Sequence, residues 1–232
     1  MKVNIKELLD FFDDKKDSEK GDANALMAIL GEDLNVSAYR HFRDNKIDIL
    51  IDSVLPVIKK DKKGKRLDRW ILDKKADTLF QCEIKNWAAT AIGGKSLKAN
   101  AGKAEIKKVA KDHWKHQLST NLSKKPPKKQ KHPNGVSKVL LTMRKPSQYK
   151  NLEVEPLLIY WMPISSDKAG LKPLSYISDL PVRTAFKRLH IFSVSLYLRQ
   201  MYKQGKGKKF IDLDMPHFIH RMKILQRIAK VK

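Results

Sequence analysis

The spacing of apolar residues along the chain predicts an alternation of helices and strands. Apolar residues recur every three or four positions in 24–43 and in 102–118, which predicts two helices. Short apolar runs between polar or glycine-containing stretches predict strands, and they lie at 47–58, 66–72, 79–87, 137–143 and 156–164. A helical pattern returns towards the C-terminus, in 182–202 and in 216–229.

This order of elements predicts an α/β fold, in which a mixed central sheet of about five strands lies between helices. The 232 residues suit a single domain. We expect an α/β core in 1–165 and a C-terminal helical extension in 166–232 that packs on the core. The extension could also form the interface of a homodimer.

One predicted strand, LFQCEIKNW at 79–87, carries charges in apolar company. Strand alternation places Gln81, Glu83 and Lys85 on one face and the apolar side chains between them on the other. Burying a carboxylate and an ammonium costs desolvation energy, which favours a functional role for the pair. The alternative is a solvent-facing charge pair of an ordinary antiparallel sheet.

Two more acids are expected close to this strand. A polar connection joins the second and third predicted strands into a hairpin, which would bring Asp68 beside Glu83 and Lys85. Glu32 lies on the helix that precedes these strands, near a break at Gly31. The chain therefore presents an acid on a helix, an Asp, and a Glu-x-Lys triplet in that order.

This order resembles the PD-(D/E)xK nuclease superfamily, which has the restriction-endonuclease-like fold. The resemblance covers about residues 24–143, and Leu67 stands where the motif's name has proline. It implies a three-layer core in which a helix precedes a small mixed sheet. It also implies that the acids of two adjacent strands bind one or two divalent cations, and that the protein hydrolyses phosphodiester bonds, with DNA as the first expectation.

The resemblance implies a role for each residue of the motif. Asp68 and Glu83 would bind Mg²⁺, for which Mn²⁺ would substitute, together with the backbone carbonyl of Ile84. Lys85 would orient the attacking water or stabilise charge on the phosphate. Glu32 would act on the metal directly or through water. Such a cation neutralises phosphate charge and lowers the pKa of bound water, and it prefers carboxylate oxygens.

The charge of the chain indicates the same class of partner. A formal net charge of +24 calls for a polyanion, and nucleic acid is the natural one. The basic residues concentrate after the Glu-x-Lys strand, and those expected to contact nucleic acid are Lys95, Lys98, Lys103, Lys107, Lys111, Lys115, Lys124, Lys125, Lys128, Lys129 and Lys131. Lysines position a phosphate backbone more than they read bases, so strong sequence specificity is not indicated. RNA stays open as a substrate, because no aromatic base-stacking motif decides between the two.

Two segments after the strand could add to this surface. The stretch 119–135 is rich in proline and lysine and predicts a mobile loop that could clamp a phosphate backbone. A solvated basic loop is the alternative. Gln117, on the helix before it, is a loose counterpart of a Gln that some branches of the superfamily carry there.

Other features narrow the class of protein. Residues 89–96, ATAIGGKS, look like a P-loop without its first glycine. The strand before a P-loop is apolar, whereas this one carries Glu83 and Lys85, so a nucleotide triphosphatase is not favoured. The single cysteine, Cys82, argues for a reducing interior. With no signal-peptide pattern and no apolar run near ~18 residues, we expect a cytoplasmic protein without a membrane partner.

The competing hypothesis is a non-catalytic, basic nucleic-acid-binding protein, in which Glu83 and Lys85 form a structural pair. The two hypotheses differ in the function of Asp68 and Glu83. A nuclease needs both acids for cleavage and retains binding without them, whereas a binding protein shows no cleavage and little dependence on metal.

Overall fold

A computed structural model describes residues 1–13, 20–50, 56, 66–86, 96–123, 135–165, 170–180, 182–204 and 210–229. The strands in these ranges are β1 (Lys2–Asn4), β2 (Ile47–Leu50), β3 (Arg69–Asp73), β4 (Thr78–Lys85), β5 (Glu153–Tyr160), β6 (Leu174–Ile177), β7 (Leu189–Ser193) and β8 (Phe210–Asp212). The α-helices are α1 (Ile5–Asp13), α2 (Lys20–Phe42), α3 (Lys103–Asp112), α4 (Ser119–Ser123), α5 (Val194–Gln204) and α6 (Pro216–Ala229). A π-helical turn (His113–Leu118) joins α3 to α4, and 3₁₀ turns occupy Gly135–Leu140 and Ser147–Tyr149.

Six strands form a mixed sheet in the order β2-β3-β4-β5-β7-β6. The first three form an antiparallel meander, β4, β5 and β7 run parallel, and β6 lies antiparallel at the edge. Strands β1 and β8 pair separately. The predicted α/β class, with a mixed sheet flanked by helices, is confirmed, although the described residues contribute six strands to the sheet and not about five.

The centre of the sheet explains why its strands are so apolar. Leu157, Leu158 and Ile159 on β5 are fully buried, which is typical of a strand covered on both faces. On the neighbouring β4, burial extends from Leu79 to Ile84 and includes the polar side chains between them. A solvent-facing position for the charged face of β4 is therefore wrong at Glu83, which has no exposed surface.

Most predicted elements are found close to their expected positions. The observed counterparts of 24–43, 66–72, 79–87, 156–164 and 216–229 are α2, β3, β4, β5 and α6, while 102–118 is α3 continued by the π-helical turn. Strand β2 begins the segment predicted at 47–58, most of whose remainder lies outside the described residues. The loop predicted at 119–135 opens with α4, and 124–134 lie outside the described residues as well.

The strand predicted at 137–143 is wrong. The chain there forms the 3₁₀ turn Gly135–Leu140 (the Lys138 turn). Val136 and Val139 are buried three residues apart, as one turn of a 3₁₀ helix requires, whereas a strand would bury alternate residues. The turn packs against the sheet over β4 and β5.

The helix predicted at 182–202 is wrong in its first half. Leu189–Ser193 forms β7 inside the sheet, and α5 begins only at Val194. Short apolar runs are ambiguous between strand and helix, and here pairing with β5 decides for the strand. Strand β6 was not predicted. Both strands belong to 166–232, so the region expected to be a helical extension completes the central sheet.

A buried ion pair connects distant parts of the fold. The carboxylate of Asp13, at the end of α1, accepts hydrogen bonds from Arg199 Nη2 and from Trp161 Nε1, each at 2.7 Å. Arg199 also donates to the carbonyl of Leu97 at 2.7 Å and to that of Lys98. The pair thus holds α1, α5, the end of β5 and the segment 96–101 together.

Among the described residues, no helix combines the length and the apolar character needed to cross a membrane.

We expect Arg199→Met to destabilise the protein strongly, because it leaves the Asp13 carboxylate buried without its counter-charge. The free energy of unfolding, measured by urea denaturation, should fall by about 3 to 5 kcal/mol. As a control, Lys74→Met removes an exposed ion pair with Asp48, whose charged atoms lie 2.8 Å apart. The control should cost less than about 1 kcal/mol, and equal losses in the two variants would contradict the prediction.

Candidate functional site

The hairpin of β3 and β4 brings Asp68 to the charged end of β4, as the sequence predicts. The backbone amide of Asp68 donates to the carbonyl of Cys82 at 3.1 Å, which continues the pairing of the two strands. Its carboxylate oxygen Oδ2 accepts a hydrogen bond from the backbone amide of Ile84 at 2.6 Å. The Asp68 carboxylate therefore lies against the β4 backbone between Glu83 and Lys85.

Glu83 is a fully buried carboxylate that carries two ammonium groups. Lys85 Nζ contacts its oxygen Oε1, and Lys138 Nζ lies 2.8 Å from the same atom. The other oxygen, Oε2, is buried and has no hydrogen-bond partner among the residues the structure describes. The side chains of Lys85 and Lys138 remain 20% and 22% exposed, so both lysines reach solvent while Glu83 does not.

The surroundings of Glu83 raise its pKa. Burial is the main cause, and the nearby charge of Asp68 raises the pKa further, while Lys85 and Lys138 oppose both effects. Such a carboxylate is costly to keep ionised unless another cation joins it.

The donors present fit a hard divalent cation. Glu83 Oε2 is an unpartnered buried oxygen next to a second carboxylate, that of Asp68. Within the described part of the chain, no group of three or more His, Cys, Asp or Glu side chains could hold a metal ion. Two carboxylates with retained waters are an ordinary ligand set for Mg²⁺.

Gln81 lies on the same face of β4 as Glu83 and is also fully buried. Its side-chain amide Nε2 donates to the carbonyls of Val139 and Leu141, each at 2.6 Å. These two bonds fix the end of the Lys138 turn over β4. Gln81 therefore holds in place the backbone that carries Lys138.

Local sequence patterns did not indicate Lys138 as a site residue. Its segment was predicted as a strand, and strand alternation offers no reason for Lys138 to reach Glu83. The ammonium group instead donates to the carbonyl of Arg66 at 3.1 Å as well as to Glu83. The sequence feature that could have indicated a partner segment at this position was Gln81, a second polar side chain on the face of β4 that otherwise carries charge.

The structure pairs the Glu32 carboxylate with Arg69, whose Nη2 lies 3.5 Å from it. The side chain of Glu32 is 47% exposed, whereas that of Glu83 is fully buried. The backbone beside Glu32 is held to the end of β4 by the side-chain amide of Asn86. In the orientation that satisfies its neighbours, the amide oxygen accepts a hydrogen bond from the Glu32 backbone amide and the amide nitrogen donates to the Gly31 carbonyl, both at 3.3 Å. A Cβ atom on Gly31 would lie 2.5 Å from Asn86 Cγ, so glycine is needed for this approach. Glu32 thus lies at the rim of the site.

The described lysines of the predicted nucleic-acid surface are all exposed, and they are Lys98, Lys103, Lys107, Lys111 and Lys115. The last four recur every fourth residue along α3 and the π-helical turn, while Ile106, Val109 and Ala110 of the same helix are buried. Lys95, Lys124, Lys125, Lys128, Lys129 and Lys131 lie outside the described residues, as does the side chain of Gln117.

We expect the free energy of unfolding of the wild type, compared with that of Glu83→Gln, to fall as pH rises. At pH values below the ordinary carboxyl pKa of 4.5, Glu83 is protonated in both the folded and unfolded states and costs nothing. Because its folded pKa is raised, the unfolded state ionises first, and stability is lost as pH rises through the folded pKa. Urea denaturation of both proteins in EDTA across this window measures the difference. The exposed Glu153→Gln is the control, and a flat difference for Glu83→Gln would contradict the prediction.

We expect Gln81→Leu to lower the free energy of unfolding by about 2 to 3 kcal/mol, because it leaves two carbonyl oxygens without their donor. Hydrogen exchange should also accelerate in the Lys138 turn. Gln200→Leu, on the exposed side of α5, is the matched control and should change stability by less than about 0.5 kcal/mol. Unchanged exchange in the turn would show that Gln81 does not hold it.

Comparisons of this chain with protein-family models, with curated proteins and with solved structures find no match. The chemistry of the site is defined by its own residues. Asp68 and Glu83 supply adjacent carboxylates, one with an unpartnered oxygen, and Lys85 and Lys138 supply two ammonium groups on the solvent side. Carboxylates are the ligand type that a hard divalent cation prefers, and ammonium groups are the partner type of a phosphate anion.

Proposed function

We propose that this protein is a metal-dependent nuclease of the PD-(D/E)xK type, with a restriction-endonuclease-like fold, which hydrolyses phosphodiester bonds in DNA. The observation that carries the proposal is the state of Glu83. Its carboxylate is fully buried, has an unpartnered oxygen, and lies beside a second carboxylate, that of Asp68. This arrangement lowers the stability of the fold, and a bound cation would offset that cost by pairing with the unpartnered oxygen.

The order of elements supports the same class. Helix α2 precedes the meander of β2, β3 and β4. Asp68 is the residue before β3, and Glu83 lies on the adjacent strand β4. The superfamily resemblance implies a helix before a small mixed sheet with acids on neighbouring strands. The fold therefore agrees with the resemblance in the region where the motif lies.

Each side chain of the site has a distinct role in the proposed reaction. Asp68 and Glu83 would hold Mg²⁺ or Mn²⁺ together with the carbonyl of Ile84. A bound cation would supply a water of lowered pKa and neutralise charge on the phosphate. Lys85, which remains partly exposed, would orient that water or stabilise the charge that develops on the phosphate. Glu32 could act on the metal only after leaving its partner Arg69.

The charge distribution supports nucleic acid as the substrate. The exposed lysines of α3 and the π-helical turn recur every fourth residue, and the whole chain has a formal charge of +24. Lys138 adds a further positive charge beside the carboxylates. We also infer a cytoplasmic location, because the one cysteine, Cys82, is free and buried.

The second candidate is a basic nucleic-acid-binding protein without catalytic activity. The observation in its favour is that Lys85 and Lys138 both contact Glu83 Oε1 and so neutralise the carboxylate without a metal. In that case the charged end of β4 would be a structural cluster under a basic surface. The two candidate functions differ in their dependence on metal, because cleavage requires a metal ion and simple binding of nucleic acid does not.

We expect purified protein to cut supercoiled plasmid DNA or a single-stranded DNA or RNA oligonucleotide in Mg²⁺ or Mn²⁺ and not in EDTA. Glu83→Gln, Asp68→Asn and Lys85→Met should each reduce the rate by roughly 10² or more, while gel-shift affinity persists. Asp77→Asn changes an exposed acid in the β3–β4 turn, at a backbone conformation that asparagine tolerates, and should cut like wild type.

Two outcomes would contradict the nuclease proposal. Binding of nucleic acid without cleavage in any metal would favour the non-catalytic alternative. Cleavage that survives Glu83→Gln at the wild-type rate would place the activity elsewhere.

A further inference from the structure

Two ammonium groups from different elements contact Glu83. Lys85 reaches Oε1 from two residues along the same strand, whereas Lys138 reaches it at 2.8 Å from the separate Lys138 turn. Two ammonium groups therefore share a single carboxylate oxygen at a buried position. With the neighbouring Asp68 carboxylate they balance the charge of the cluster, so a divalent cation added to it would leave an excess of positive charge.

A divalent cation on Glu83 would lie a few ångströms from Lys138 Nζ. Like charges at about 4 Å repel strongly when the effective dielectric is well below that of water. A cation at the unpartnered Oε2 would therefore repel the Lys138 ammonium on Oε1 and favour its departure from Glu83.

The ammonium group of Lys138 can move while the backbone of Lys138 stays fixed. Gln81 holds the end of its turn through two carbonyls, each at 2.6 Å. The Lys138 side chain is 22% exposed and has a flexible four-carbon stem. Its Nζ already has a second acceptor, the carbonyl of Arg66 at 3.1 Å, so it has a partner other than Glu83.

We propose that Lys138 balances the charge of Glu83 in the metal-free protein and moves to a phosphate oxygen of the nucleic acid when the metal binds. The inference rests on the proposed function and adds to it a second site lysine that couples metal binding to substrate binding. Lys138 would thus protect the buried carboxylate when no metal is present. It would then contribute to phosphate binding at the same site.

The test compares the Mg²⁺ affinity of wild type, Lys138→Met, Lys138→Arg and Lys172→Met by calorimetry, without nucleic acid. Lys138→Met should bind Mg²⁺ about tenfold more tightly than wild type, because the repelling ammonium is gone. Lys138→Arg retains the charge and should stay close to wild type. Lys172→Met removes an exposed lysine before β6, three strands from β4, and should also match wild type. If the methionine variant fails to fold, Lys138→Gln serves in its place, since it keeps a donor for the Arg66 carbonyl.

A second measurement tests the contact with phosphate. With Ca²⁺ in place of Mg²⁺, the dependence of duplex DNA affinity on salt should be weaker for Lys138→Met than for Lys172→Met, by about one in the logarithmic slope. Equal slopes would overturn the phosphate contact. Equal Mg²⁺ affinities of these two variants, in a protein whose wild type binds Mg²⁺, would overturn the repulsion alone. A wild type that binds no divalent cation would overturn the proposed function, and this inference with it.

Discussion

The buried ion pair of Asp13 and Arg199 is the interaction on which the arrangement of the chain depends most. Trp161 also binds Asp13 through its side chain, and its backbone amide donates a hydrogen bond to the carbonyl of Lys85 at 3.0 Å. The same guanidinium binds carbonyls of the segment that leads into α3. One desolvated pair therefore sets the positions of the charged end of β4 and of the lysine-bearing helix. Neither element needs a direct contact with the other.

The Glu83 carboxylate differs from the Asp13 carboxylate in how its oxygens are used. Both oxygens of Asp13 accept hydrogen bonds, from Trp161 and Arg199, whereas Glu83 Oε2 accepts none among the described residues. A buried polar atom without a partner calls for an explanation, and a bound ion is one of them. The Asp13 carboxylate is fully used in holding the fold, while Glu83 keeps one oxygen that a ligand could bind.

The sequence predicted the parts of this site that depend on local patterns. Alternation along β4 and the polar connection before it were enough to place Asp68, Glu83 and Lys85 together. The position of Glu32 was only approximate, because helix periodicity fixes neither its side-chain direction nor its pairing with Arg69. β7 was missed because its five residues continue directly into α5, and only its pairing with β5 separates the two. Lys138 was missed for a related reason, since a hydrogen bond from a distant glutamine determines its place.

The way in which Gln81 holds the Lys138 turn has a consequence for variation in this segment. Gln81 binds the carbonyl oxygens of Val139 and Leu141, and every amino acid has that oxygen. The side chains at 139 and 141 can therefore be replaced by others of similar volume without loss of the attachment. Gln81 itself has no such freedom, because few side chains present two donors to neighbouring carbonyls. In a set of functional variants, substitutions should accumulate at positions 139 and 141 while position 81 stays fixed.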